Sequence, residues 1–235
     1  MTQSILVIEK ARSIATTLRR DLDTKIYTIS STHQRTALAR VKKRKPDLII
    51  VDTLSIPDNE VVDLCKALHK TIHPPTIALV YDRWPIEKLE GTAYLMVSPE
   101  LPDLSTRLQA VLAVHRHLLE QLNKGDAPVI ALEELRLDME KRSLSRKGNQ
   151  AHLTPKAARL LFAFMTHPGL VLTRRWLMKE VWETDYTGDT RTLYVHVRWL
   201  RQIIEEDPGT PRLLITIRGV GYLFDVPPQK TRRLK

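Results

Sequence analysis

Short runs of aliphatic and β-branched residues alternate with amphipathic stretches through the first half of the chain, and this alternation restricts the fold more than any other feature. The runs are ILVI, YTIS, LIIV, TIALV and AYLMV, at residues 5–8, 27–30, 48–51, 76–80 and 93–97. Helical spacing of apolar residues follows them at residues 11–22, 32–43, 61–69 and 104–122. Strands without a polar face are typical of a parallel sheet covered by helices on both sides. The first half is therefore predicted to be a doubly wound α/β domain with the flavodoxin-like strand order 2-1-3-4-5.

Two carboxylates follow neighbouring strands of this predicted sheet. Glu9 comes directly after the first strand, and Asp52 comes directly after the third. In doubly wound folds, functional groups collect at the carboxyl ends of the strands. We therefore expect Glu9 and Asp52 to lie close together in a candidate site.

Composition and charge narrow the class of protein. Of the 235 residues, 43% are hydrophobic and 27% charged, as in ordinary folded domains, and the length fits two of them. Lysine and arginine outnumber aspartate and glutamate by 37 to 27, and the net charge of +10 attracts polyanions such as nucleic acid or an anionic membrane surface. The sequence contains neither a membrane span nor a signal peptide, so we expect a cytoplasmic protein.

The second half has a different pattern. Its alternating runs between residues 130 and 153 predict a small antiparallel sheet, and helices are predicted at residues 155–165, 174–182 and 190–205. Thr154 and Thr173 are the expected N-caps of the first two helices. Two strands around a tight turn end the pattern, which is that of a winged helix-turn-helix. The predicted boundaries are 1–122 for the α/β domain, 123–127 for a linker, 128–228 for the second domain and 229–235 for a basic tail.

The third of these helices has two distinct faces at 100° per residue. Its core-facing stripe consists of Leu193, Val197, Leu200 and Ile204. The opposite face carries Arg191, Val195, Arg198 and Gln202, with Tyr194, Trp199 and Arg201 on its flanks. Arginine can bond a phosphate or a guanine edge, glutamine can read adenine, and a valine methyl can pack on a thymine methyl. The pattern favours a helix that reads the DNA major groove, the alternative being a solvated basic face.

Two further segments flank this helix. Arg218 lies in the tight turn of the last hairpin, where it can reach an adjacent minor groove; an exposed turn arginine is the alternative. Residues 182–189, WETDYTGD, join the second and third helices and are acidic, aromatic and long for a helix-turn-helix connection. We expect this connection to contact protein rather than DNA.

Four motifs of the second half carry a family resemblance. LTPKAARLL, PGLVLTRRWLMKEVW, RTLYVHVRWLR and RGVGYLF together resemble the effector domain of the OmpR/PhoB response regulators, over nearly the whole second half. The resemblance implies a major-groove position for the third helix and a minor-groove approach for Arg218. It implies contacts to DNA backbone or bases for Arg191, Thr192, His196, Arg198 and Arg201. It also implies that the connection matches the loop that contacts RNA polymerase, with Trp182, Glu183, Asp185, Tyr186 and Asp189.

Tyr194 and Trp199 depart from this family. They stand where many relatives carry polar or basic residues. The half-site sequence that such relatives bind therefore cannot be transferred to this chain.

The first half resembles the receiver domain that precedes this effector domain, through ILVIEK and PDLIIVD. In that family an acidic pair and the aspartate matched by Asp52 bind Mg²⁺, and the aspartate accepts a phosphoryl group from a histidine kinase. Here the acidic pair is Glu9 and Lys10. The two positions that read the phosphate hold Val80, and Val97 or Ser98, in place of a hydroxyl and a lysine.

These changes remove one carboxylate and add an ammonium where Mg²⁺ requires oxygen ligands. We therefore predict a degenerate receiver that uses no cofactor, with Asp52 unphosphorylated and paired with Lys10. The predicted function is a sequence-specific DNA-binding transcription regulator that is not an enzyme. Its predicted partners are double-stranded DNA, RNA polymerase and a second copy of the chain, bound through the receiver-like domain; neither a sensor kinase nor a membrane is expected.

Three alternatives stay open. The first is a conventional response regulator phosphorylated on Asp52 by a sensor kinase. The second is a sensor whose altered pocket binds a small ligand or a partner protein. The third is an enzyme at the strand ends, against which stand the lack of a nucleophile with its base and of a glycine-rich phosphate loop after the first strand.

Overall fold

The structure is a computed structural model that describes residues 2–71, 76–80, 93–96, 104–184 and 190–225. The chain divides into two compact units, Met1–Ser105 and Thr106–Lys235. This division falls at the start of the helix that the sequence pattern assigned to the end of the first domain. The predicted linker at 123–127 stays a prediction, and the basic tail at 229–235 lies outside the described residues.

The first unit is built on a five-stranded parallel sheet, and its strand order β2-β1-β3-β4-β5 is the one predicted. The strands are β1 (Gln3–Ile8), β2 (Tyr27–Thr32), β3 (Leu48–Asp52), β4 (Thr76–Val80) and β5 (Ala93–Met96). The helices are α1 (Ser13–Asp21), α2 (Gln34–Arg44) and α3 (Asp58–Thr71). Every residue of β3 is buried, as expected for a strand covered on both faces.

The apolar core of this unit brings the sheet together with α2 and α3. Ile8, Val51 and Val80 contribute from three adjacent strands, and Val41 and Val61 pack on them from the two helices. Because the strands are parallel and in register at this end, their last residues reach the same edge of the sheet. That edge is where the candidate carboxylates lie.

The second unit contains most of α4 (Leu104–Asn123), a four-stranded antiparallel sheet, three further helices and a small three-stranded sheet. The first sheet consists of β6 (Val129–Leu132), β7 (Leu135–Asp138), β8 (Ser143–Arg146) and β9 (Asn149–His152). The helices are α5 (Pro155–Thr166), α6 (Arg174–Trp182) and α7 (Arg191–Ile204). The remaining strands are β10 (Val171–Thr173), β11 (Leu214–Ile217) and β12 (Gly221–Phe224).

Both predicted helix caps are confirmed. The hydroxyl of Thr154 accepts a hydrogen bond from the backbone N–H of Ala157 at 3.3 Å, and that of Thr173 accepts one from Trp176 at 3.2 Å. Each bond satisfies a donor that the first turn of a helix leaves unpaired. These caps mark where α5 and α6 begin.

Strand β10 was not predicted from the sequence. It has three residues and pairs antiparallel with β12, which makes β12 the central strand of the sheet β11-β12-β10. A side chain at Gly221 would overlap the carbonyl oxygen of Leu172, so the close approach of these two strands requires glycine there. No helix within the described ranges is long and apolar enough to cross a membrane.

Candidate functional site

Helix α7 has the two faces that its sequence predicts. The four residues of the predicted core stripe, Leu193, Val197, Leu200 and Ile204, are all buried. On the outward side Tyr194 is 60% exposed, Val195 39% and Trp199 47%. The polar side chains of Arg191, Thr192, Arg198 and Gln202 are exposed with them. The outward face thus combines arginine, glutamine and large apolar side chains within one helix.

The hairpin formed by β11 and β12 presents Arg218 in its turn. Arg218 is exposed, and the turn is closed by a hydrogen bond of 3.1 Å from the N–H of Val220 to the carbonyl of Ile217. Gly219 adopts a φ of 78°, the left-handed region that glycine occupies without strain. The structure therefore places Arg218 at the tip of a tight wing, as predicted.

Two side chains near the end of α7 tie it to β11. The guanidinium of Arg201 donates to the carbonyl of Leu214 from Nε and Nη2, at 2.9 and 2.6 Å, and from Nη2 to the hydroxyl of Thr216 at 2.7 Å. The buried carboxylate of Glu205 accepts the backbone N–H groups of Arg212, Leu213 and Leu214. The helix and the wing are thus held together by charge-assisted hydrogen bonds.

An aromatic row runs from the end of α6 to the outward face of α7. The rings of Trp182 and His196 meet edge to face with centroids 5.1 Å apart, and the rings of His196 and Trp199 are 5.4 Å apart. Nδ1 of His196 lies 2.8 Å from the carbonyl oxygen of Thr192, and it donates there because a carbonyl can only accept. His196 is therefore held between two tryptophans by a fixed ring orientation.

The predicted pair of carboxylates is buried at the edge of the parallel sheet. Ile8 is opposite Val51 in the β1–β3 register, so Glu9 and Asp52 follow side by side, and they are 2% and 3% exposed. Glu9 accepts the N–H of Ile14 at 2.8 Å and that of Ala15 at 3.3 Å, at the start of α1. Asp52 accepts the N–H of Leu54 at 3.1 Å.

The surroundings of Glu9 raise its pKa above the ordinary value. Burial raises the pKa of Glu9, the hydrogen bonds from Ile14 and Ala15 lower it, and the charge of Asp52 raises it, with a net upward shift. The part of the chain that the structure describes holds no cluster of three or more His, Cys, Asp or Glu able to bind a metal ion.

The predicted ion pair between Asp52 and Lys10 is not found. Lys10 is exposed, and no salt bridge joins its ammonium to Asp52 among the described residues. The physical reason is the alternation of side chains along extended backbone: Glu9 points into the pocket, so the next residue points away from it. The backbone N–H of Lys10 donates to the hydroxyl of Ser55 at 3.0 Å instead.

Comparison with known proteins identifies the family. The sensory transduction protein RegX3 of Mycolicibacterium smegmatis is 35% identical over 195 residues, which span 80% of this chain and 84% of RegX3. The alkaline phosphatase synthesis transcriptional regulatory protein PhoP of Bacillus subtilis is 31% identical over 237 residues, which span 97% of this chain and 98% of PhoP. The family model described as transcriptional regulatory protein, C terminal, matches residues 148–224. The chain belongs to the OmpR/PhoB family of response regulators.

Among solved structures, the response regulator DrrB of Thermotoga maritima aligns with 96% of this OmpR/PhoB-family chain and 100% of its own. The TM-score is 0.39 and the identity 22%. As a member of the family, the chain is a DNA-binding transcription regulator.

The structure brings most of the predicted DNA-contacting residues of this OmpR/PhoB-family regulator onto two surfaces, the outward face of α7 and the turn of the last hairpin. Arg201 is the exception, because its guanidinium is engaged with β11. Val80 is buried in the apolar core together with Val51, the residue before Asp52. Ser98, Asp185, Tyr186 and Asp189 lie outside the described residues.

Sequence reasoning missed the residues that position α6. Arg159 of α5 donates to the carbonyl of Glu180 at 3.0 Å and to the carboxylate of Glu183 at 2.6 Å, and Lys156 donates to the carbonyl of Val181 at 2.7 Å. Cations at a helix C-terminus satisfy its unpaired carbonyls and complement the helix dipole. The only signal in the sequence was the spacing of Lys156 and Arg159 on one side of α5, which does not specify what they face.

Proposed function

We propose that this regulator binds specific DNA sequences through α7 and the wing, and that phosphorylation of Asp52 does not control it. The observation that carries the first part is the outward face of α7, where arginine, glutamine and apolar side chains occur together on a helix with no acidic residue. A major groove presents phosphates at its rims and hydrogen-bonding edges and methyl groups at its floor, which match these side chains.

Individual roles follow from position on the helix. We assign base contacts to Val195, Arg198 and Gln202, which lie near the centre of the outward face. Arg191 and Thr192 lie at the first turn of α7, where a helix N-terminus favours a phosphate. Arg218 at the wing tip is assigned to the adjacent minor groove. Because the half-buried Arg201 is already bonded to β11, its proposed contact with DNA is limited to its remaining N–H donors.

His196 is assigned a contact with DNA through Nε2, because its Nδ1 already donates to the carbonyl of Thr192.

The second part of the proposal is supported by the strand-end pocket. Phosphoryl transfer depends on positioning and on neutralising charge, usually by Mg²⁺. The donor set here does not fit that ion, since Glu9 is bonded to the start of α1 and Lys10 replaces the second acid. Asp52 is buried, and Val80 offers no hydroxyl beside it. We therefore regard Asp52 as part of a closed pocket rather than as a phosphoacceptor.

The proposed protein partners come from the family resemblance. RNA polymerase would contact the connection between α6 and α7, and a second copy of the chain would bind through the receiver-like domain. In the described part of that connection, Trp182 packs on His196, and the exposed Glu183 pairs with Arg159 at the surface. We do not propose a sensor kinase as a partner. The absence of enzymatic activity stays a prediction.

Selection from randomised duplex DNA tests the proposal. Full-length protein, purified without any phosphodonor, is expected to enrich one sequence motif, and Asp52→Asn is expected to enrich the same motif with the same affinity. Arg198→Ala and Arg218→Ala should weaken binding to that motif. Failure to enrich any motif contradicts the DNA part. Enrichment only after treatment with acetyl phosphate and Mg²⁺, lost in Asp52→Asn, contradicts the second part and favours a conventional response regulator.

A further inference from the structure

The outward face of α7 concentrates exposed apolar surface. Six large hydrophobic side chains are exposed among the described residues, and three of them, Tyr194, Val195 and Trp199, belong to this one helix. The other three, Ile26, Leu54 and Leu122, are single residues in separate parts of the chain. Keeping such side chains in water is unfavourable, so a cluster of them indicates a surface that is covered when the protein acts.

The surroundings of this cluster define the chemistry of what covers it. Val195 and Trp199 are four residues apart and therefore adjacent on the helix surface. Arg191 lies one turn before Val195, and Arg198 precedes Trp199, while α7 contains no aspartate or glutamate. The covering partner must offer negative charge beside an apolar group. In the major groove the one apolar group on the base edges is the C5-methyl of thymine, and the phosphates lie on both sides of it.

Neighbouring rings already order the side chain of Trp199 before any such contact forms. Its ring packs on His196, which packs in turn on Trp182, and His196 is fixed by its bond to the carbonyl of Thr192. A side chain that is already ordered loses less conformational entropy on binding than one that moves freely. The aromatic row therefore makes Trp199 a rigid apolar contact rather than a mobile one.

We propose that Trp199 and Val195, with Tyr194 at the flank, read thymine in the half-site through its C5-methyl group. The inference rests on the proposed DNA-binding function and adds the base feature that α7 reads, which is a methyl group in addition to a hydrogen-bonding edge. Removing the methyl from one contacted thymine is expected to weaken binding about fourfold, the factor for losing one buried methyl group.

The test uses two libraries of randomised duplex DNA, one with thymine and one with deoxyuridine in every thymine position. Deoxyuridine pairs as thymine does and lacks only the C5-methyl group. Full-length protein is selected on both libraries, and its Kd is then measured on the enriched site with each thymine replaced singly by deoxyuridine. The variants are Trp199→Ala, Trp199→Phe, Val195→Ala and Arg198→Gln, with Leu54→Ala as a control at an exposed leucine of the first unit.

The inference predicts that one or two thymines per half-site each lose about fourfold in affinity on replacement. Trp199→Ala or Val195→Ala should remove that difference at one of them, whereas Trp199→Phe should retain it. Arg198→Gln should weaken the thymine and deoxyuridine forms by the same factor, and Leu54→Ala should change neither. Equal Kd values for both forms of every site overturn the inference and leave the DNA-binding function standing. If neither library yields a motif, both the inference and the proposed function are overturned.

Discussion

The carboxylate of Glu205, one residue beyond the end of α7, accepts a hydrogen bond of 2.7 Å from the backbone N–H of Leu214, the first residue of β11. It also accepts the N–H groups of Arg212 and Leu213, each at 3.0 Å. A single buried acceptor therefore joins the helix proposed to read the major groove to the strand that leads to the wing. Together with the bonds from Arg201 to Leu214 and Thr216, this joint holds α7 against the last hairpin.

Replacing Glu205 should loosen that joint. Glu205→Ala leaves three backbone N–H groups without their acceptor, and we expect the free energy of unfolding of the second unit to fall by roughly 2–4 kcal/mol. The neighbouring Glu206 is exposed and pairs with Lys147 on the surface, so Glu206→Ala is a matched control that should change little. Urea unfolding followed by tryptophan fluorescence measures the stability of both variants. Equal midpoints for the two variants would show that the joint contributes nothing.

Arg198 and Arg201 should respond differently to truncation, although both lie on α7. Arg198 is exposed on the outward face, and we expect Arg198→Ala to cost ~1–3 kcal/mol of binding free energy at a specific site while leaving the Tm unchanged. Arg201 is bonded to Leu214 and Thr216, so Arg201→Ala should lower the Tm as well. Paired thermal unfolding and DNA titrations separate the two. A Tm loss in Arg198→Ala would contradict its placement as a DNA contact.

The acid stability of the second unit should depend on His167. Burial lowers the pKa of His167 to about 4, against a smaller upward effect of its hydrogen bond to the carbonyl of Ala163. As the pH falls below the ordinary value of 6.5, the unfolded chain binds a proton that the folded state excludes. The free energy of unfolding therefore decreases between pH 6.5 and 4, by up to about 3 kcal/mol.

His167→Gln keeps a hydrogen-bond donor for Ala163 and cannot titrate, so its stability should change less over the same pH interval. The ring of Trp176 lies 5.0 Å from that of His167, and its fluorescence reports the unfolding. Burial also lowers the pKa of His115, whose ring is 6.0 Å from His167, so some pH dependence should remain in the variant. If the free energy of unfolding depends on pH in the same way for the variant and the wild type, His167 is not the cause of the acid destabilisation.

The first unit should show the opposite pH dependence at Glu9. The pKa of Glu9 is raised, so its folded state holds a proton that the unfolded chain releases, and its contribution to stability becomes unfavourable as the pH rises through and above 4.5. Glu9→Gln retains an acceptor for Ile14 and removes the charge. We expect a higher Tm than wild type at pH 7.5 and a smaller difference near pH 4.5. Asp63→Asn, at an exposed position of α3, is the control, and a lower Tm for Glu9→Gln at pH 7.5 would show that the charged form is required.

The layout of the first unit was predictable because its central strands β3 and β4 are almost entirely buried runs of apolar residues. A run such as LIIV contains no polar residue, so neither face of the strand can be left in water. Strands buried on both faces are typical of parallel sheets. The register then places Glu9 beside Asp52, as expected. The orientation of Lys10 was predicted wrongly, because charge complementarity suggested an ion pair where the alternation of the backbone points the side chain outward.

In the second unit, features that depend on a single segment were predictable, and features that join distant segments were not. The faces of α7 and the caps of α5 and α6 depend on spacing within one segment and were predictable. Strand β10 has too few residues to show a period, and its close pairing with β12 requires glycine at position 221. The bonds of Glu205 to residues 212–214 join segments across a loop, and nothing in the local pattern shows which donors a carboxylate will meet.

Intact-mass measurement shows whether Asp52 accepts a phosphoryl group. Full-length protein is incubated with acetyl phosphate and Mg²⁺ beside Asp52→Asn, with a response regulator that has the complete acidic set as the positive control. Because Asp52 is buried and the pocket lacks the second acid, we predict an unchanged mass for both forms of this protein. A stable adduct of one phosphoryl group on the wild type, absent from Asp52→Asn, would show that Asp52 is a phosphoacceptor after all.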